Sequence, residues 1–368
     1  MKLLFLLPNI GGGGIERAML NLLDGLTAGR YDPRVVVHER GGTLAEEVAS
    51  RVDTRFLGQA PYSRWRLPML FWHILGEVRR TDVVVAMNEG RAAVLGLLAA
   101  KLVGKPVVSV INFDWSRFKL ENSWRQTFAL RMYRFMDAVV AVSHGAAEGF
   151  CVVSGMDSAT VRVISVPQPI ARVRTRALEP LPEAFQATFE GPTVVAVGRL
   201  DRQKGLDVLI DAHARVLELG VQHRLILVGQ GGLLNELRVR ASELGVEGTV
   251  VFAGFQSNPF PFVRNSTVFA MSSRFEGQPL ALAEAMTCGA AIVSTDCPAG
   301  PREMLDDGRC GLLVPVEDPA ALAGAIASLL RDPKVREGLR TAALERSKMF
   351  DDARVVRDWE AVIDSVRR

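Results

Sequence analysis

Cysteine is scarce and scattered in this 368-residue sequence: Cys151, Cys288, Cys297 and Cys310 form no C-x-x-C pair and have no histidine ladder nearby. A disulfide framework and a structural zinc site are thereby excluded, and the four read as reduced thiols of a cytoplasmic protein. Long apolar runs are also missing, since no stretch reaches the roughly 18 uncharged apolar residues of a membrane span. The opening MKLLFLLPNI carries one Lys before a short apolar run, as a signal peptide does, but it stops at Pro8 and Asn9 and continues into glycines. It is expected to be a buried first strand. A charge excess is lacking too: 44 Lys and Arg against 41 Asp and Glu leave +3. That balance does not suit a protein that coats a polyanion, so no nucleic-acid partner is expected. No D-x-D pair stands in a suitable loop, and no metal site is expected.

What is present is ordinary for a soluble globular chain, with 48% hydrophobic and 23% charged residues. The length argues for two domains. Short apolar runs recur with helix-like segments between them: KLLFLL, RVVVH, DVVVAM, PVVSVI and AVVAVS, then TVVAVG, RLILVG, TVVFAG, TVFAMS and AAIVST. Strands apolar on both faces and separated by amphipathic helices predict parallel sheets covered on each side. The fold class is therefore α/β, with two Rossmann-like doubly wound domains over residues 1–170 and 191–349. Residues 171–190, within a proline-containing stretch that has no sustained period, are expected to link them. A final helix, about residues 350–368, is expected to pack back on the first domain. Ligands of such sheets bind outside the carboxyl ends of the strands.

Three segments there carry chemistry. PNIGGGGIERAMLNLL places four glycines between the first strand and a helix, where backbone can approach a phosphate or sugar closely. As a dinucleotide fingerprint it fails, because Glu16 stands where the third glycine belongs. Taken alone, the loop is equally a flexible turn. In VVAVGRLDRQKGLDVLIDA, Arg199 and Lys204 follow a strand and precede a helix, a placement suited to a diphosphate. No Walker spacing is present. In MSSRFEGQPLALAEAMTCGAAIVSTD, Pro279 opens a helix that is expected to run to about Thr287, with Gly289 closing it. Glu276 falls in the loop before that helix and Glu284 inside it. Two glutamates at this spacing are, by themselves, also what a solvated helix face would show.

The motifs occur together and in order. GGGGIERAMLNLL, VGRLDRQKGLDVLIDA, LVGQGG, VVFAGFQSNP, SSRFEGQPLALAEAMTCG, STDCPAGPREML and GRCGLLVPVEDPAALAGAI run through nearly the whole chain. In these segments the sequence resembles the retaining family-4 glycosyltransferases of the GT-B fold, two Rossmann-like domains facing across a cleft. Its GPREML and QSNP wording is most similar to members that use UDP-sugars to build bacterial surface glycans. The resemblance implies that Arg199 and Lys204 hold the donor diphosphate and Glu284 the ribose hydroxyls. It implies that Glu276 contacts the donor sugar as first glutamate of an E-x7-E motif. Backbone N–H groups across Gly277, Gln278, Pro279 and Leu280 would meet the phosphates, Phe255 and Gln256 would lie beside the base, and Gly13 and Gly14 would cover the donor.

The expected reaction is metal-independent, retaining transfer of a hexose or N-acetylhexosamine from a nucleotide sugar to a glycan or lipid-linked glycan acceptor, by attack on the face the diphosphate leaves. No cofactor is implied beyond that co-substrate. One departure stands out: where members of the family often carry a His after the strand matching PVVSVI, this chain has Asn112, Phe113 and Asp114. Asp114 either replaces that His as a proton acceptor or acceptor-binding group, or is an exposed loop carboxylate. His144 either reaches the cleft or caps the next helix.

The segments 62–80 and 117–136 mix Arg with Trp, Phe, Tyr and Met at helical spacing. Between Ala60 and Phe135 stand 12 Lys and Arg against 5 Asp and Glu. Residues 62–136 are therefore expected to make peripheral contact with an anionic membrane, on the inner face of the plasma membrane, unless the apolar stripes face the core and the arginines are solvated. A nicotinamide-dependent dehydrogenase is opposed by the missing glycine, although Glu39 is acidic as such an enzyme requires. A nucleotide-sugar epimerase of the same fold remains as the second reading, and a non-catalytic binding module is opposed by the presence of Arg199, Lys204, Glu276 and Glu284.

Overall fold

The computed structural model describes residues 1–11, 13–39, 44–58, 67–116 and 124–367. The chain divides into two compact units, Met1–Pro167 with Asp352–Arg368, and Gln168–Asp351. The first contains β1 (Lys2–Leu7), β2 (Asp32–Val37), β3 (Asp53–Phe56), β4 (Val83–Ala86), β5 (Val107–Ile111), β6 (Ala138–Ala141) and β7 (Val161–Val163). They form one parallel sheet in the order β3-β2-β1-β4-β5-β6-β7. The second contains β8 (Thr193–Val197), β9 (Arg224–Val228), β10 (Val250–Gly254), β11 (Val268–Met271), β12 (Ile292–Thr295) and β13 (Leu312–Val314). Their order, again parallel, is β10-β9-β8-β11-β12-β13. Both sheets are doubly wound, as the apolar runs predict, with the direction of winding reversing at β1/β4 and at β8/β11.

The ten runs read from the sequence are all strands. Three further strands, β3, β7 and β13, lie at sheet edges. Each is only three or four residues long; β3 has no buried position and β7 and β13 have one each, so none produces the continuous apolar run by which central parallel strands are read. Residues 171–190 also differ from a simple connection. A helix, Ile170–Ala177, buries Ile170, Val173 and Ala177, the last two within the core of the second unit. Eight residues give barely two turns, too few for a period to show in a proline-containing stretch.

The helix Asp352–Ser365 belongs to the first unit. Val355, Val356, Trp359, Val362 and Ile363 are buried on one face. Val356 packs so closely on Gly25 that a Cβ there would stand 2.5 Å from its Cγ2. Polar contacts fix the rest: Glu360 accepts the Thr27 N–H at 2.8 Å and Asp364 the Tyr31 hydroxyl at 3.2 Å. All four cysteines are free thiols. Among the described residues, no helix is long and apolar enough to cross a membrane.

At the amino end of the second sheet, two buried histidines form a directional chain. His223 Nδ1 lies 3.0 Å from the Val221 carbonyl, so it carries the proton; its Nε2 then accepts from His213 Nδ1 at 2.8 Å. His213 Nε2 faces the Thr249 hydroxyl at 2.8 Å. Burial, followed by His223, pushes His213 down from 6.5 to about 3, and burial lowers His223. The unfolded chain therefore binds protons that the native state refuses, and the contribution to stability is present above pH 6.5 and lost as pH falls toward 3. His213 alone should remove about 2 kcal/mol between pH 7.5 and 5. Denaturant midpoints at the two pH values should differ markedly in the wild type and much less in the His213→Leu/His223→Leu variant. Equal pH slopes would refute the assignment.

Candidate active site

The carboxyl edge of the second sheet gathers the loops after β8, β11, β12 and β13. After β8 the chain turns through Asp201, whose side chain accepts the Lys204 N–H, and a short 3-10 turn, Arg202–Lys204. Gly205 follows at φ 58°, in the left-handed region, and opens the helix Leu206–Glu218. A Cβ at Gly205 would lie 2.2 Å from the Ser272 carbonyl oxygen. Only glycine lets the loop after β8 rest backbone to backbone on the loop after β11. The two are stitched by Ser272 Oγ donating to the Lys204 carbonyl at 2.9 Å and by the Arg274 N–H donating to the Gln203 carbonyl at 2.8 Å.

This packing sets Lys204 Nζ 2.6 Å from Glu276 Oε1, with the two side chains 19% and 6% exposed. A nearly buried carboxylate of this kind persists because a cation and hydrogen bonds satisfy it. Gln203 supplies further polar contact: its amide donates to the Phe275 carbonyl at 3.0 Å and to Glu276 Oε2 at 3.4 Å. Its carbonyl accepts from Arg199 Nη2 at 3.0 Å. Arg199 is exposed and also meets Asp201 at 3.1 Å. Gln203 therefore links both cations' surroundings to the carboxylate, a role visible in the sequence only as adjacency to Lys204.

Arg274, also unassigned by sequence reasoning, holds three loops together. Its guanidinium makes a bidentate pair with Asp207 at 3.0 and 2.7 Å, donates to the Arg202 carbonyl at 2.8 Å and pairs with Glu317. Hydrogen bonding to Asp207 raises the guanidinium further above its ordinary range. Beneath the site, Cys297 is buried; desolvation and then the Glu276 carboxylate push its thiol upward.

Glu276 precedes the helix Leu280–Thr287, which has Pro279 as its N-cap, one residue before the first turn, and is followed by Gly289 at φ 71°. The prolyl opening and glycyl close match the reading of the sequence. Pro279 has no N–H, so the backbone donors between Gly277 and Leu280 exclude it, and the first helical turn adds those of Leu280 and Ala281. Gly300, at φ 90°, backs this segment: a Cβ there would lie 2.7 Å from the Gly277 carbonyl oxygen. Glu284 is half-buried within the helix. Phe255 is 54% exposed beyond β10, and the Gln256 amide donates to the Ala253 carbonyl at 2.7 Å.

The other sequence-predicted residues belong to the first unit. Gly13 caps and Gly14 begins the helix Gly14–Gly25. Glu16 is buried and its carboxylate accepts the Gly11 N–H at 3.0 Å, so the chain places its own anion against this glycine loop. Where the fingerprint calls for a third glycine, the chain instead has a carboxylate bonded back to the start of the loop. Asp114 Oδ1 accepts from the Ser116 N–H at 3.0 Å and its hydroxyl at 2.6 Å, closing a tight turn against Gly149, where a Cβ would lie 1.8 Å away. The helix His144–Ser154 is capped by Ser143, which accepts the Ala146 N–H at 3.2 Å, and His144 is exposed at its start.

Residues 12–167 match Glycosyltransferase Family 4 and residues 191–332 match Glycosyl transferases group 1. A curated relative from Campylobacter jejuni, N-acetylgalactosamine-N,N'-diacetylbacillosaminyl-diphospho-undecaprenol 4-alpha-N-acetylgalactosaminyltransferase, is 36% identical over 165 residues, 45% of this chain and 44% of the relative. The match to that relative, like that to an uncharacterized glycosyltransferase of Methanocaldococcus jannaschii, spans about half the relative's length. The lipopolysaccharide core biosynthesis glycosyltransferase LpsE of Rhizobium meliloti is 29% identical over 344 residues, covering 91% of this chain and 89% of the relative. Among solved structures, Anabaena Alr3699/HepE in complex with UDP and glucose superposes with a TM-score of 0.84 at 20% identity, over 99% of this chain and 100% of that one. These likenesses fall on both units: the chain is a glycosyltransferase of the GT-B fold, with a Glycosyltransferase Family 4 domain followed by a Glycosyl transferases group 1 domain.

Proposed function

We infer that the chain is a retaining, metal-independent glycosyltransferase of bacterial polysaccharide or glycoconjugate synthesis. It moves a hexose or N-acetylhexosamine from a UDP-sugar to a glycan acceptor carried on a lipid. The observation that carries this reading is the Lys204–Glu276 pair at the carboxyl edge of the second sheet, beside Arg199 and a helix start. Lys204 and Arg199 supply fixed positive charge for a departing diphosphate, and the backbone donors near Leu280 add to it without reorganisation. Glu276, already oriented by Lys204 and Gln203, accepts hydrogen bonds from hydroxyls of the donor sugar, and Glu284 accepts those from the ribose.

In the reaction the acceptor oxygen bonds to the anomeric carbon as the bond from that carbon to the diphosphate oxygen breaks. The acceptor proton passes to the departing diphosphate on the same face, so UDP and a glycoside of unchanged configuration result. Lipid-linked acceptors are named for the Campylobacter relative. Membrane contact agrees with the exposed Met69 and Trp72 on the helix Leu67–Val78, and with Phe128, Arg131, Arg134 and Phe135 further on. The buried Leu70, Ile74, Leu75 and Val78 show that the apolar stripe of that helix faces the core, so the proposed contact rests on the residues opposite it. Residues 62–66 and 117–123, part of the segments expected to touch a membrane, lie outside the described residues.

The test is nucleotide release from a panel of UDP-, GDP- and ADP-sugars in EDTA, with a lipid extract of the producing organism's membranes in phosphatidylglycerol vesicles as acceptor. UDP release that requires the extract, with a glycoside product of the donor's anomeric configuration, is expected. Acceptor-independent conversion of the UDP-sugar would point to an epimerase, and release only with added metal would overturn metal independence.

A further inference from the structure

The first unit carries a half-buried carboxylate that the proposed reaction does not use. Glu89 lies in the turn between β4 and the helix Arg91–Leu102, at the carboxyl edge of its sheet. Burial pushes its carboxyl above the ordinary range, and the groups that pull it back are neutral N–H donors of Asn112, Glu89 itself and Trp115. Glu89 Oε1 accepts the Asn112 backbone N–H and, at 3.2 Å, the Trp115 indole N–H. Its Oε2 accepts from Asn112 Nδ2 at 3.2 Å, and the same amide nitrogen donates to the Met87 carbonyl at 2.8 Å.

The consequence is chemical. An amide NH2 has two hydrogens, and both are committed, one to Met87 and one to Glu89. The amide of Asn112 is thereby fixed in one of its two orientations, with Oδ1 turned away from both partners. An oxygen held in this way is an acceptor for an O–H donor. It stands just past the end of β5, in the position relative to a doubly wound parallel sheet where ligands are bound.

We propose that Asn112 Oδ1 accepts a hydroxyl of the glycan acceptor and that Glu89 is the positioning residue that fixes the Asn112 amide and the loop 112–116. This rests on the glycosyltransferase reading and assigns the acceptor a place on the first unit. In Glu89→Gln one carboxylate oxygen becomes an NH2 group. Facing Asn112 Nδ2, it sets donor against donor; the pair is relieved only by rotating an amide, which withdraws Oδ1 or one of the contacts to the loop. Asn112→Ala removes the hydroxyl acceptor directly, and Glu89 keeps the backbone N–H of residue 112 and the Trp115 indole.

The experiment titrates the lipid extract described above at saturating UDP-sugar, and measures the Kd for UDP and the Tm of each variant. The half-saturating amount of extract should rise about tenfold in Glu89→Gln and in Asn112→Ala, and the double variant should be no worse than the weaker single one, because both act through the same oxygen. The Kd for UDP should stay within about twofold, since UDP is held by the second unit. Unchanged half-saturation in both variants overturns the proposal, as does a loss of acceptor use that tracks weaker UDP binding and lower Tm. If Glu89→Gln does not fold, Asn112→Ala decides the matter, because it leaves no buried group of reversed polarity. A wild type that transfers no sugar from any donor refutes the glycosyltransferase reading, an outcome distinct from each of these.

Discussion

Replacing Lys204 or Glu276 by Ala should lower sugar transfer by about 100- to 1000-fold, the loss that follows when one preorganised charge partner of a transition state is removed. The two variants should differ in stability. Lys204→Ala leaves a carboxylate that is only 6% exposed without its cation, 2.6 Å from where the ammonium stood. A destabilisation on the order of 2–3 kcal/mol is expected, since an orphaned buried charge costs more than the pair contributes. Glu276→Ala leaves the more exposed partner, Lys204, which can turn toward water, and should destabilise less. The double variant should recover most of the stability lost in Lys204→Ala and none of the activity. Denaturant midpoints and UDP release on the same preparations separate the two effects. Transfer near the wild-type rate in either single variant would remove this pair from the active site.

Gly205→Ala should reduce transfer by about 100-fold or more, although the substituted residue carries no functional group. The new Cβ would lie 2.2 Å from the Ser272 carbonyl oxygen, so the loops after β8 and β11 must separate. That displacement breaks the Ser272–Lys204 and Arg274–Gln203 hydrogen bonds and moves Lys204 relative to Glu276. Misplacement of a positioning group by about 1 Å is enough for a loss of this size. Gly289→Ala is the control: Gly289 has a similar φ of 71° but nothing within 4 Å of the added carbon. It carries the strain of left-handed backbone, about 1–2 kcal/mol, without the collision. Comparable losses of kcat in the two variants would show that backbone strain, and not loop separation, is responsible.

The parts of this molecule legible in the sequence are those in which one local signal suffices. Central strands such as β5 and β9 are buried on both faces and advertise themselves as apolar runs. The helix carrying Glu284 is bracketed by Pro279 and closed near Gly289, each of which has a backbone reason to be there. Arg199, Lys204 and Glu276 were legible as charges placed at strand ends. Which of them pair was not, because Lys204 and Glu276 are 72 residues apart and meet only through the adjacency of β8 and β11. Arg274 was hidden for the same reason: its partners lie elsewhere in the chain, Asp207 in the first turn of the helix Leu206–Glu218 and Glu317 in the loop after β13. Asn112 was legible as a departure from the family pattern, but its meaning required Glu89, which no motif marks. His144 was considered as a cap, and the neighbouring Ser143 holds that position because its short hydroxyl reaches the Ala146 N–H.

The helix Asp352–Ser365 has a bearing on how the protein is made. It is the last element of the first unit to be translated, and the entire second unit, Gln168–Asp351, precedes it at the ribosome. The second unit is contiguous and can complete its fold during synthesis, as domains generally do. The first cannot: until Trp359 and its neighbours arrive, the face of the helix Gly14–Gly25 that they cover stays open to solvent. Nascent chains should therefore pass through a state with one finished Rossmann unit and one exposed apolar seam, the interval in which a chaperone would be needed most.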